Sequence, residues 1–105
     1  MYYTYIIRCK DNSLYTGITN DLERRFEEHF SKSEKCAKYT YVHSAIKLEI
    51  AWQSSNKSEA SKLEYHIKRL SKIQKENLIN NNSDLDDFFY EKFDCSVYQK
   101  YDLKT

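Results

Sequence analysis

The sequence has no proline, one glycine (Gly17), one tryptophan and three cysteines in 105 residues. No apolar run approaches the roughly 20 residues that a membrane-spanning helix needs, which excludes that class and a membrane partner. The start, MYYTYIIRCK, lacks a basic leader and its apolar stretch is broken by Thr4 and Arg8, so no secretory signal is expected. Cys9, Cys36 and Cys95 are odd in number and far apart, without CxxC or Cys/His spacing. They read as free thiols and not as a zinc site. The expected location is therefore a reducing, cytoplasmic compartment, or the nucleus of an infected cell were the chain viral. There is no internal repeat and no separate DNA-binding module.

What is present is a soluble composition, 40% hydrophobic and 31% charged, of a length that suits one core. The net charge of +1 hides an asymmetry: residues 1–75 hold 14 Lys/Arg against 9 Asp/Glu, net +5, and residues 76–105 hold 3 against 7, net −4. A basic body with an acidic tail is compatible with a polyanionic partner, because cations gain affinity by releasing phosphate counterions. A mixed solvated surface explains the same numbers.

Residues 2–9 alternate aromatic and β-branched types, and Ser13–Ile18 follows a turn at Lys10–Asn12, so the chain opens with a β-hairpin. Asn20 or Asp21 caps a helix to about Phe30, with Leu22, Phe26 and Phe30 as its apolar stripe. Residues 31–45 lack a period and read as a polar, partly basic loop. Ile46–Trp52 is a third strand with Ile46, Leu48 and Ile50 on one face. A helix capped by Asn56 or Ser58 runs to Leu70 on Ala60, Leu63, Ile67 and Leu70. Ser71 caps another helix to about Ile79, with Ile73 and Leu78 inward. The predicted class is α+β, a small three-stranded antiparallel sheet flanked by helices in the order β-β-α-β-α-α. Residues 1–80 form the domain, and 81–105 an acidic aromatic extension that could dock through Phe88, Phe89 and Phe93 or receive a protein partner or second copy.

Three features carry chemistry. A three-residue turn pairs Tyr5 with Gly17 and Ile7 with Tyr15, so both tyrosines share a face. Gly17 then either opens space for a ligand or another backbone, or marks a bulge. Arg25 and His29, four apart, lie beside the helix stripe at the edge of the core, where a histidine can be a packing residue or a catalyst. Glu64 interrupts the apolar stripe of the second helix. A carboxylate there needs a cationic partner or a metal.

These residues resemble the GIY-YIG nuclease superfamily, and within it the small stand-alone proteins of bacteria and large DNA viruses. Tyr3-Thr4-Tyr5 stands for GIY, Tyr15-Thr16-Gly17 for YIG, and DLERRFEEH (21–29) for the helix that follows. Arg25, ten residues after Tyr15, matches the catalytic arginine, and His29 the His or Tyr one turn later. LEYHIKRL (63–70) is similar to the helix bearing the metal-binding glutamate, at Glu64, and AKYT (37–40) to a loop element of the stand-alone group. The first element lacks its glycine, and His66 stands where some excision-repair relatives have asparagine.

The resemblance, over residues 2–80, implies metal-dependent endonuclease hydrolysis of nucleic-acid phosphodiesters, DNA in the first place, in repair, recombination or processing. It implies Mg²⁺ or Mn²⁺ on Glu64, Arg25 on the phosphate, and Tyr5 orienting or deprotonating water with support from Tyr15 and His29. A phenol with a pKa near 10 needs a nearby cation or an onward proton route to do this. Gly17, Arg24, Lys35, Lys38 and Tyr39 are the expected nucleic-acid contacts. The alternative is a catalytically weak nucleic-acid-binding or repair accessory protein of the same fold, and a third reading is a structural protein acting through its tail.

Overall fold

A computed structural model describes residues 1–102 of the chain, so the last three residues of the extension lie outside the described residues. The hairpin is β1 (Tyr2–Cys9) and β2 (Leu14–Thr19), paired in the expected register, Tyr5 opposite Gly17 and Ile7 opposite Tyr15. Among the described residues, four non-glycine residues take the left-handed backbone region, in turns and helix ends: Asn12, Lys32, Ser44 and Asn81. Asparagine tolerates that region best among the four. The chain's one glycine is not among them.

The third strand, β3 (Ala45–Ser54), lies on the other side of β1, and a two-residue β4 (Gln99–Lys100) pairs with Trp52 and Gln53. Among the described residues the sheet therefore has four strands, in the order β2-β1-β3-β4, and not the expected three. Two register shifts between β1 and β3 break the alternation read from the sequence. Cys9 opposes Ala45 and Arg8 opposes Lys47, which leaves Ile46 as the extra residue, 57% exposed. Glu49 is the second extra residue, between the Ile7–Leu48 and Ile6–Ile50 pairs. It sends Leu48 and Ile50 to opposite faces, each into a different apolar cluster.

Helices cover both faces of the sheet. On one, α1 (Leu22–Phe30) lays Leu22, Phe26 and Phe30 against Tyr5, Ile7, Cys9 and Ala51, and Asp21 caps it by accepting from Arg24 N at 3.1 Å. On the other, α3 (Lys57–Lys68) buries Ala60, Leu63 and Ile67 against Ile6, Ile50 and Trp52. Burying Leu63 and Ile67 stabilises the fold by roughly 2 kcal/mol each. Asn56 caps α3, and Leu70 follows its end, half-buried.

The segment read as a loop contains a helix, α2 (Lys38–His43). It is held to the hairpin turn by Lys10 N donating to Ser44 O and by a His43–Asp11 pair. Its six residues are too few for a period to show. Next, α4 (Lys72–Ile79) begins with a full Ser71–Gln74 capping box and buries Leu78, but Ile73 is 74% exposed and not inward. The acidic segment forms α5 (Leu85–Phe89), and Leu85, Phe89 and Tyr98 enter the α3 core. The change of composition near residue 80 is thus not a break in packing. Arg8 ties three elements together, bonding Glu49 of β3 at 2.9 Å and Glu76 of α4 at 2.6 Å.

Candidate active site

Gly17 explains how the site is assembled. A Cβ there would meet Tyr5 Oη at 2.5 Å and Tyr5 Cζ at 2.7 Å. The Tyr5 ring crosses directly over Gly17, carrying its hydroxyl toward the outer edge strand β2. The space expected beside this glycine is filled by Tyr5 itself, and the two register shifts of the sheet lie between β1 and β3, not here. Gly17 is buried, with the Tyr5 ring against it.

The Tyr5 hydroxyl meets His29 Nε2 at 2.8 Å, and His29 Nδ1 meets Thr40 Oγ1 of α2 at 2.6 Å. His29 was expected at the core edge; it is 0% exposed, the one fully buried side chain of α1. Burial, with Arg25 adding to it, holds its pKa down at about 4, so the imidazole is neutral at pH 7. Tyr15 stands beside both rings, its centroid 6.4 Å from Tyr5 and 5.4 Å from His29, and Tyr39 stacks on it at 5.8 Å.

Burial pushes the Tyr5 phenol above its usual range, Tyr15 and Glu64 push the same way, and Arg25 opposes them by hydrogen bonding and charge. At 1% exposure, desolvation outweighs the lowering by Arg25, so the phenol holds its proton. His29 Nε2, at hydrogen-bond distance, offers an onward proton route.

Arg25 is half-buried. Its guanidinium pairs with Glu28 at 2.9 Å and donates to the Lys35 carbonyl. It also lines a groove of about 470 Å³ with Arg24, Lys35, Lys57, Tyr2 and Glu28. Arg24 and Lys35 thus share a groove with the catalytic-arginine candidate, and Lys57 and Tyr2 join them unforeseen. Lys38 is exposed on α2, and Tyr39 is committed to its stacks on Tyr15 and His43.

Glu64 projects from α3, on the other face of the sheet, at the β2 edge. Its carboxylate, 23% exposed, meets Lys68 Nζ at 3.3 Å, and Lys68 lies 6.0 Å from the Tyr15 ring centroid. The cationic partner considered for this carboxylate is thus present. Lys68 is exposed and can swing away. No group of three His, Cys, Asp or Glu side chains able to hold a metal occurs among the described residues. One partly solvated carboxylate does suit Mg²⁺, which keeps most of its ligands as water and phosphate oxygens. His66 packs away from this site, its ring 5.7 Å from Phe89 and 5.1 Å from Phe93.

The β2 edge of this antiparallel sheet carries two tyrosines, a buried histidine, an arginine and a lone carboxylate, side chains suited to acid–base and phosphate chemistry. The chain belongs to the GIY-YIG family: the GIY-YIG catalytic domain model matches residues 1–77. Among its relatives, a UPF0213 protein of Fusobacterium nucleatum is 44% identical over 79 residues, 75% of this chain and 77% of that protein. One from Clostridium perfringens is 46% identical over 84 residues, covering 79% and 87%. YazA, the UPF0213 protein of Bacillus subtilis, is 38% identical over 91 residues, covering 87% and 90%. The solution NMR structure of a UPF0213 protein from Bacillus halodurans is 41% identical, with a TM-score of 0.49 over 77% of this chain and 85% of that one. No helix among the described residues is long and apolar enough to cross a membrane.

Proposed function

We propose that this protein is an endonuclease that hydrolyses phosphodiesters of nucleic acid, DNA in the first place, with one divalent cation. The observation that carries the reading is the Tyr5–His29 hydrogen bond of 2.8 Å next to Arg25, inside a GIY-YIG domain. Tyr5 holds the attacking water and takes its proton as its own passes to His29. Arg25 leaves Glu28 to clamp the scissile phosphate and offset the charge that grows on it. Arg24 and Lys35 lead the strand along the groove. Glu64 would hold Mg²⁺ or Mn²⁺, which when bound supplies electrostatic stabilisation of the leaving oxygen.

A bound phosphate also helps the proton route. It neutralises Arg25, one of the two causes that hold the His29 pKa down, and makes the imidazole a better acceptor.

The reading is tested with labelled single-stranded, duplex and branched DNA in Mg²⁺ or Mn²⁺. Arg25→Ala and Glu64→Ala abolish cleavage and leave binding largely intact. A wild-type protein that cuts none of these substrates refutes the enzyme. The second reading, a nucleic-acid-binding accessory protein, is favoured by the Glu64–Lys68 pair and by the burial of Tyr5. Binding without cleavage would establish it.

A further inference from the structure

We propose that Thr40 is a positioning residue that fixes the tautomer of His29, and through it the direction of the Tyr5 hydrogen bond. Its catalytic consequence rests on the function proposed above; the tautomer does not.

The direction follows from proton counting along four groups. Thr40 Oγ1 lies 3.0 Å from the Ala37 carbonyl, which can only accept, so the single hydroxyl proton of Thr40 is used there. Thr40 Oγ1 must then accept across its 2.6 Å contact with His29 Nδ1. A neutral imidazole has one proton, and this contact places it on Nδ1. Nε2 is left as a bare lone pair, so the Tyr5 O–H is the donor in the 2.8 Å bond between them. The positive charge of Arg25 near Tyr5 agrees, since a cation favours a phenol proton pointing away from it.

The opposite tautomer would reverse this. An Nε2–H would donate to Tyr5, and the phenol proton would point toward the substrate, where it cannot be exchanged for one from water. With the Thr40 tautomer the transfer balances. The water proton bonds to Tyr5 Oη, the Tyr5 proton bonds to Nε2, and the imidazolium keeps Nδ1–H on Thr40. The hydroxide oxygen forms its bond to phosphorus as the ester P–O bond breaks, the leaving oxygen takes a proton from solvent, and His29 later returns its proton to solvent.

The structure holds Thr40 for this task. It is fully buried, on a helix pinned to the hairpin turn at Lys10 and Asp11 and stacked on Tyr15 through Tyr39.

The test is long-range ¹H–¹⁵N correlation on ¹⁵N-histidine-labelled protein at pH 7, which reads the tautomer whether or not the protein cuts DNA. Wild type shows Nδ1–H at His29; Nε2–H overturns the proposal. Thr40→Val, close in shape, shifts His29 toward Nε2–H and lowers kcat by on the order of 100-fold with KM little changed. Thr40→Ser restores both, and melting curves show that all three forms fold. A Thr40→Val variant that keeps Nδ1–H, or that cuts at the wild-type rate with the tautomer changed, also overturns it. If wild type shows Nδ1–H and cuts nothing, the tautomer assignment stands and the proposed hydrolysis falls.

Discussion

Gly17→Ala tests the geometry on which the whole site depends. The backbone at Gly17 is not in the left-handed region, so alanine meets no conformational penalty there. The main conflict is with Tyr5: the new methyl would sit 2.5 Å from Tyr5 Oη, and 3.0 Å from Tyr15 Cε2, where ordinary contact begins near 3.4 Å. Tyr5 must retreat by about 0.9 Å, which breaks its bond to His29, and it is buried with no free volume to enter. Overpacking a core costs about 1–3 kcal/mol. Leaving a buried hydroxyl and imidazole unpaired costs a further ~1–3 kcal/mol. The smaller entropy of the unfolded alanine chain offsets about 0.4–1 kcal/mol. The net loss is about 1–5 kcal/mol, read as a fall in melting temperature of at least about 5 °C. Cleavage falls by roughly 100-fold, the usual effect of a displacement near 1 Å. In a Tyr5→Leu background, where the ring is gone, the same substitution has little effect on stability. A Gly17→Ala protein that melts within about 2 °C of wild type, or that is equally destabilised in both backgrounds, refutes the reasoning.

Two further expectations concern pH and the tail. His29 has a folded pKa of about 4 against 6.5 when unfolded, so the unfolded chain binds the extra proton between those values. Its contribution is complete above pH 6.5 and is lost as pH falls toward 4, up to ~3 kcal/mol in all. The lowered pKa of His66 acts in the same direction. Melting temperature therefore falls from pH 7 to 4.5, and His29→Gln flattens that slope; a flat wild-type profile rejects the burial of a neutral His29. Removing residues 81–105 deletes Leu85, Phe89 and Tyr98 from the α3 core, a loss of roughly 5–8 kcal/mol that matches the whole stability of a small domain. The truncated chain should not fold. The tail's net charge of −4 is also expected to shield the basic body from polyanions, which is read from Asp86→Asn with Glu91→Gln, both exposed. This pair raises DNA affinity at low salt, and unchanged affinity discards the idea.

Local chemistry was legible where it acts over a few residues. The turn at Lys10–Asn12 set the register that pairs Tyr5 with Gly17, and the Asp21, Asn56 and Ser71 caps mark where α1, α3 and α4 begin. The candidate site residues Tyr5, Tyr15, Arg25, His29 and Glu64 were expected from family resemblance. Thr40 entered only as the last residue of the AKYT element and without a role, because its value depends on a bond to a histidine eleven residues away across a turn. A short helix in a polar segment leaves no period to reveal it, although the repeated Tyr39-Thr40-Tyr41 pattern was there to be questioned.

By itself, then, the sequence determined the first three strands and the starts of α1, α3 and α4, since propensity, capping and turn length are local energies. Only the tertiary structure decided what each does. The extra residues Ile46 and Glu49 exist only relative to β1, because a bulge is a property of a pair of strands. The tail became core because α3 offered it an apolar face. The lone glycine acquired its reason from a ring on the neighbouring strand, whose hydroxyl had to pass over it to reach His29.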